Sequence, residues 1–179
     1  DKKGVPRAKL TGTIQNDILK EYVARGTWIF PVRPSMRLIA DTILFSTEET
    51  PRFNPISIAG AHVRDAGATA VEEIGYTLAN GLAYVEELLR RGGDATRFAQ
   101  RLSFFFYVHM DLFEEVCKFR AARTLWPKLL QERFGITDPN AQRFRFGVVC
   151  GGSSLTASQP LNNTVRVGIA GRVLRREQQ

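Results

Sequence analysis

Cysteine and histidine are scarce in this chain of 179 residues, which contains only two of each. Cys117 and Cys150 cannot build a disulfide framework, and neither stands in a zinc-binding pattern. We therefore expect no metal site and a protein of a reducing compartment, the cytoplasm.

Long hydrophobic runs are also missing. The longest apolar stretches, such as Leu102–Met110, fall far short of the roughly 18 residues that a membrane-spanning helix needs. Residues 1–4 are mostly polar and no apolar segment follows them, so no signal peptide is visible. We expect a single globular domain over residues 1–179 with no membrane partner.

The chain is basic, with 25 Lys and Arg against 18 Asp and Glu and a net charge of +7. Most arginines stand singly, and dense basic clusters occur only in residues 2–9 and 172–176. Neither a recognition motif nor interleaved surface aromatics accompany this charge, so we expect no nucleic-acid partner. A distributed positive surface suits a phosphorylated or carboxylated small ligand.

Short apolar runs alternate with longer helical patterns along the chain. The predicted strands are Ala8–Gln15, Ile56–Ala61, Arg101–Val108 and Arg143–Val149. The predicted helices begin at Asp17, near Met36, at Ala70, at Asp111 and at Leu161. Strand followed by helix, four times, predicts an α/β fold with a parallel sheet.

Three details of this pattern carry further expectations. The stripe of Ala70–Arg91 should face the core through Val71, Ile74, Leu78, Leu82, Val85 and Leu89. The aromatic strand Arg101–Val108 should be buried on both faces. In the helix that begins at Asp111, with Leu125 inward, Pro127 should cause a kink or break near Trp126.

Polar side chains follow the ends of the predicted strands. These residues are Gln15, His62, His109 and the pair Ser153 and Ser154. No G-x-G-x-x-G motif follows any strand, which argues against dinucleotide binding. Chemistry at the carboxyl ends of strands is typical of β/α-barrel enzymes, whose barrel takes roughly 250 residues. Four units therefore predict half of a TIM-type barrel.

Six sequence blocks appear in order between about Lys9 and Arg166. They are Gly12–Tyr22, Pro34–Asp41, Ile58–Thr69, Leu102–Phe106, Lys118–Arg123, and Ser153–Thr156 with Gln159–Asn163. Together they resemble the large subunit of the adenosylcobalamin-dependent acyl-CoA mutases, the methylmalonyl-CoA mutase family. The resemblance implies barrel strands four to seven, an acyl-CoA substrate threaded along the barrel axis, and adenosylcobalamin over the carboxyl ends of the strands. The implied activity is a radical isomerisation of a methylmalonyl-CoA-like ester.

The resemblance also implies roles for single residues. Thr13 and Gln15 match substrate contacts near the thioester, and His62 matches the histidine that hydrogen-bonds the thioester carbonyl. Gln15 and His62 are thereby the implied catalytic pair. Arg25 matches the arginine that binds the free carboxylate of the substrate.

The remaining implied contacts concern CoA and the cofactor. Arg101 and Ser103 match CoA contacts, and Arg52 falls where a basic residue meets the CoA phosphates. The implied contacts with adenosylcobalamin are Ala24, Arg25, Asp65 and Gly152.

Structural interpretations remain open beside these roles. His62 alone would more often be a structural hydrogen-bonding residue, and His109 has no support for another role. Arg25 could be a cation that stabilises the end of a helix.

The sequence departs from the family in three places. Ala61 stands where members carry an aromatic residue, so the acyl pocket is expected to be either wider or not formed for the same substrate. The apolar segment Gly147–Cys150 replaces a polar segment that faces the adenosyl group. After Arg166 the family pattern ends, without the other strands or the cobalamin-binding domain that supplies the cobalt ligand.

We therefore expect a partner: a complementary mutase segment, a cobalamin-binding subunit, or a second copy of this chain. The alternative is a non-catalytic half barrel with a structural or interaction role.

Overall fold

The computed structural model describes residues 4–177, and the side chains of residues 4–172. Its strands are β1 (Gly12–Thr13), β2 (Phe53–Asn54), β3 (Ser57–Ala59), β4 (Ser103–Val108) and β5 (Phe146–Cys150). Its α-helices are α1 (Val32–Glu49), α2 (Ala61–Asp65), α3 (Ala70–Arg90), α4 (Ala95–Ala99), α5 (Leu112–Phe134) and α6 (Pro160–Glu177). Short 3₁₀ turns cover Arg7–Lys9 and Gly152–Ser154, and a π-helical turn covers Glu21–Arg25.

All strand pairs of the described residues are parallel. β1 pairs with β2, and β3, β4 and β5 form a second sheet in that order. Only Pro55 and Ile56 separate β2 from β3, so one segment of chain takes part in both sheets. The predicted α/β class with about four strand–helix units is confirmed, and the arrangement is consistent with part of a β/α barrel.

The two longest core helices begin at side-chain caps. Thr69 and Glu72 form a reciprocal capping box before α3, with Thr69 Oγ1 accepting from Glu72 N at 3.2 Å. The Asp111 carboxylate accepts from Glu114 N at 3.0 Å before α5. These caps fix where the two helices start behind the sheet.

The sheet has one covered face and one open face. Phe104, Phe106 and Val108 of β4 are almost fully buried and share the core with residues of α3 and α5. The alternate residues of β4 are half-buried, and Val149 of β5 is 41% exposed. We call this second side the inner face. The prediction that Arg101–Val108 is buried on both faces was wrong, because the described helices cover only one face.

The first predicted strand and helix are shorter than expected. The strand predicted for Ala8–Gln15 contains only Gly12–Thr13, because its surroundings are exposed and β2 offers two pairing residues. The helix predicted from Asp17 is a π-helical turn that ends at Gly26, whose φ is 68°. Asp17 still caps this segment, since its carboxylate accepts from Lys20 N at 3.3 Å.

The second strand also ends early. The sequence predicted a strand through Ala61, but β3 ends at Ala59 and Ala61 begins α2. His62 therefore lies in the first turn of a short helix that follows the strand, still beyond its carboxyl end.

Helix predictions were largely right, with local errors. α5 continues through Pro127 without a break, and Trp126 is buried on its inward side. Leu125, Val71 and Leu89 were expected inward but are 39%, 79% and 43% exposed. Within residues 4–177, the structure has no helix with the length and apolar character required to cross a membrane.

The junction between β3 and α2 should be intolerant of added volume. A Cβ on Gly60 would collide with Thr77 Oγ1 and lie 2.9 Å from Phe106 Cδ1, whereas a Cβ on Gly75 would meet open space. We expect Gly60→Ala to lower the free energy of unfolding by about 1–3 kcal/mol. The matched control Gly75→Ala, in the middle of α3, should raise it by about 0.5–1 kcal/mol. Urea titrations followed by circular dichroism would measure both, and equal stabilities would contradict the close packing at Gly60.

Candidate functional site

A buried carboxylate, that of Asp17, joins the segment after β1 to the carboxyl end of β3. Asp17 is 2% exposed and follows β1. Its Oδ2 accepts a hydrogen bond from Ala59 N at 2.9 Å, and its Oδ1 accepts one from the Tyr84 hydroxyl at 2.6 Å. Burial raises the pKa of Asp17, while these hydrogen bonds act in the opposite direction. The segment after β1 is thereby fastened to the end of β3 and to α3.

Lys20 lies in this fastened segment and is almost completely buried. Its Nζ donates to Glu21 Oε1 at 2.7 Å and to Gln15 Oε1 at 3.4 Å. Because a buried ammonium needs partners, this pair of acceptors fixes the amide of the otherwise exposed Gln15. The sequence analysis did not identify Lys20 as a site residue, because a lysine beside Glu21 is an ordinary surface pattern.

His62 is half-buried at the same end of the sheet. Its Nδ1 is buried and has no hydrogen-bond partner among the described residues. Burial lowers its pKa, and the positive charges of Lys20 and Arg25 lower it further, partly offset by Glu21 and Asp65. The imidazole is therefore neutral at pH 7 and retains an N–H that can donate to an incoming oxygen.

Arg25 lies at the outer rim of this site. Its side chain is 49% exposed, and its Nε is 3.9 Å from Glu21 Oε2. The guanidinium is available to an anion that arrives from solvent, and its effect on the pKa of His62 places the two side chains within electrostatic range.

The other residues implied as cofactor contacts also lie at carboxyl ends of strands. Ala24 is half-buried beside Arg25, and Asp65, at the end of α2, is exposed. Burial and the nearby Asp65 carboxylate raise the pKa of Tyr107. Gly152 is exposed in the turn after β5, and a Cβ there would meet no atom within 4 Å. Each of these implied contacts therefore follows a strand at its carboxyl end, and Asp65 and Gly152 are exposed.

The predicted CoA contacts lie at the opposite, amino end of the strands. Arg52 precedes β2 and Arg101 precedes β4, and both are exposed. Arg101 lines a polar cavity of about 230 Å³ together with Arg97, Gln100 and the hydroxyl residues at the end of α1. Ser103 faces the inner side, where its Oγ donates to Ile56 O at 3.1 Å.

Thr13 is the last residue of the short β1 and pairs with Asn54 of β2. Its Oγ1 accepts a hydrogen bond from Asn54 Nδ2 at 2.9 Å. Asn54 is a further candidate contact that sequence reasoning missed, because its pairing with Thr13 depends on the register of β1 and β2.

Ala61 does not line an open pocket in this structure. It is fully buried in the first turn of α2, so the wider cavity expected from its small side chain is not seen there.

His109 packs against the backbone of Gly151, where an added Cβ would lie 2.8 Å from the His109 ring. This contact fits the structural role that we assigned to His109. Among the described residues, no group of three His, Cys, Asp or Glu is arranged to hold a metal ion.

Comparisons with known proteins give one family. The methylmalonyl-CoA mutase family matches residues 1–172. The methylmalonyl-CoA mutase of Cereibacter sphaeroides is 49% identical over 166 residues, which is 93% of this chain and 23% of that protein. The Escherichia coli methylmalonyl-CoA mutase is 47% identical over 169 residues, 94% of this chain and 24% of that protein.

A relative with a different name also matches. The 2-hydroxyisobutanoyl-CoA mutase large subunit of Aquincola tertiaricarbonis is 43% identical over 169 residues, 94% of this chain and 30% of that subunit. The chain thus spans about a quarter to a third of the length of these relatives. Because the family match covers nearly the whole chain, this protein belongs to the methylmalonyl-CoA mutase family.

Proposed function

We propose that this chain supplies part of the substrate-binding barrel of a cobalamin-dependent acyl-CoA mutase. The reaction would be the carbon-skeleton isomerisation of a methylmalonyl-CoA-like ester. One observation carries the proposal: most implied substrate contacts lie at either the amino ends or the carboxyl ends of the parallel strands. The six residues of β4 span about 20 Å, a length suited to a long linear ligand.

The amino end suits the nucleotide part of CoA. Arg52, Arg97 and Arg101 place positive charge where β2 and β4 begin, and an exposed guanidinium binds phosphate through paired N–H donors. Ser103 would contact the pantetheine arm on the inner face.

The carboxyl end suits the thioester and the acyl group. Neutral His62 can donate a hydrogen bond to the thioester oxygen, and such a preorganised donor stabilises negative charge that develops there. Gln15, held by Lys20, would orient the acyl group, and Arg25 would bind a free carboxylate.

Adenosylcobalamin would lie at the carboxyl ends of the strands. Ala24, Arg25, Asp65 and Gly152 would face it, since each follows a strand and a Cβ on Gly152 would meet open space. When bound, the cofactor would supply the radical chemistry of the rearrangement. The cobalt ligand would come from a domain or subunit outside the described residues.

Partner and compartment follow as further parts of the proposal. The half-open inner face, with Val149 41% exposed, would be covered by a complementary mutase segment, a cobalamin-binding subunit or a second copy. The free thiols of Cys117 and Cys150 suit the cytoplasm. A non-catalytic structural role is not favoured, since the relatives are named as mutases.

The division into two ends gives a direct test by ligand binding. In the assembled holoenzyme, Arg101→Gln should weaken the binding of methylmalonyl-CoA and of free CoA alike. Arg25→Gln should weaken the binding of methylmalonyl-CoA by about 2 kcal/mol, the lower end of the range for a charge pair that the ligand buries. It should leave the binding of free CoA unchanged. Isothermal titration calorimetry would measure both. Absence of CoA-ester binding by the wild-type assembly would refute the proposal.

Loss of the His62 donor should act mainly on turnover. His62→Ala should lower kcat roughly 10²–10³-fold with a smaller change in CoA-ester affinity, because the hydrogen bond strengthens as charge develops on the thioester oxygen. Steady-state isomerisation assays on the holoenzyme would measure this. A loss confined to KM would show that His62 binds the ground state and the transition state equally, which would contradict this role.

The charges around His62 should be visible in its titration. Arg25→Gln removes a positive charge, so the imidazolium becomes less unfavourable and the pKa of His62 should rise toward its ordinary value. Ring-proton NMR would follow it, with His109→Gln assigning the two histidine signals. Arg52→Gln, at the opposite end of the strands, is the matched control and should leave that pKa unchanged.

A further inference from the structure

Tyr107 places an aromatic ring on the inner face near the carboxyl end of β4. The register pairs Ala59 with Phe105 and Tyr107 with Val149, so Tyr107 lies two residues beyond the last residue of β3. At this level of the sheet the neighbouring segment has already turned into α2, which begins with the small, buried Ala61. The ring of Tyr107 is 6.3 Å from that of Phe105 and 6.3 Å from that of His109, so the three form an aromatic row.

The backbone of Tyr107 is held from both sides by a buried ion pair. Lys118 Nζ donates to Tyr107 O at 2.7 Å, and Tyr107 N donates to Glu73 Oε1 at 3.4 Å. Lys118 Nζ also lies 2.8 Å from Glu73 Oε2, and the two side chains are 1% and 0% exposed. One lysine of α5 and one glutamate of α3 therefore bind the two peptide groups that flank the Cα of Tyr107, in the strand in front of them.

A third charge joins this pair. Lys118 Nζ is 2.5 Å from Glu115 Oε2, and Arg64 Nη2 is 3.8 Å from Glu115 Oε1. Burying such ions costs several kcal/mol each, and an apolar cluster of the same volume would often be as stable. A gain in stability therefore explains these buried charges poorly. A need to hold the backbone of Tyr107 in one position explains them better. We call Glu73, Glu115 and Lys118 the charge cluster.

The side chain of Tyr107 lies beside the candidate site. Burial and the carboxylate of Asp65, at the end of the helix that carries His62, raise the pKa of its phenol. The backbone of Tyr107 is held by the charge cluster, and the ring packs in the row between Phe105 and His109. It extends over the inner face at the end where the acyl group would lie.

We propose that Tyr107 limits the size of the acyl group, and that the charge cluster is the device that positions it. The inference rests on the proposed function, because it assigns the acyl group to the carboxyl end. Because the backbone of Tyr107 is held and its ring packs between Phe105 and His109, the ring would not move away from a bulky substituent, and the acyl pocket would discriminate by size.

Substrate ratios test the role of Tyr107 in the assembled holoenzyme. The measured quantity is kcat/KM for ethylmalonyl-CoA divided by kcat/KM for methylmalonyl-CoA. Tyr107→Ala should raise this ratio roughly 10-fold or more, the scale of one methylene in a fitted pocket. Tyr107→Phe keeps the ring and should keep the ratio within about twofold. Tyr76→Ala, at an exposed tyrosine of α3, is the matched control and should not change it.

Neutral variants test the charge cluster. Glu73→Gln, Glu115→Gln and Lys118→Met together keep the approximate volume and remove all three charges, and they should shift the ratio in the direction of Tyr107→Ala. Asp65→Asn, at an exposed position, provides a second measurement that does not depend on refolding the core. It should lower the pKa of the Tyr107 phenol, which the Asp65 carboxylate and burial now raise.

The possible outcomes distinguish failure of the role of Tyr107 from failure of the proposed mutase function. A wild-type assembly that binds no CoA ester would overturn the proposed function. A wild-type enzyme that turns over both esters, with a ratio unmoved by Tyr107→Ala, would overturn the inference alone. A folded neutral variant with the wild-type ratio would show that the charge cluster does not position Tyr107.

Discussion

The Asp17 carboxylate is the interaction on which the arrangement of the candidate site depends. It joins three elements that are far apart in sequence: the segment after β1, the last residue of β3, and the middle of α3. Its acceptor capacity is satisfied by the Tyr84 hydroxyl and by backbone N–H groups, which is why a carboxylate can be buried there. Lys20, and through it Gln15, take their positions from this anchor.

The covered and open faces of the sheet have different tasks. The covered face provides cohesion through rings such as Phe104 and Trp126, which meet edge to face with centroids 5.0 Å apart. The open face contains the side chains that a ligand would contact. Behind the sheet, Glu73 of α3 and Lys118 of α5 connect the two faces. They bind the backbone of Tyr107, whose side chain lies on the open face.

The sequence predicted the order of elements well, because that information is local. The 3.6-residue stripe of Ala70–Arg90 and the Asp111 cap of α5 can be read from neighbouring residues. The exposure of Val71 and Leu125 could not be predicted, since a periodic apolar stripe does not show how much of its width the neighbouring elements cover. The contacts that build the site also escaped prediction. Tyr84 reaches Asp17 across 67 positions, and nothing near either residue indicates the other.

The interruption at Pro55 divides the candidate ligand contacts between two hydrogen-bonded ladders. Proline has no N–H to donate, so the hydrogen-bonded pairing stops between Asn54 and Ser57 and changes neighbour. Thr13 and Asn54 belong to the ladder before the interruption, whereas Ser103 and the segment leading to His62 belong to the one after it. The two ladders are joined by the buried residues Pro55 and Ile56 and by the Asp17 carboxylate, which binds Ala59 N at the end of β3. A change in the length of this connection would therefore shift one group of contacts relative to the other.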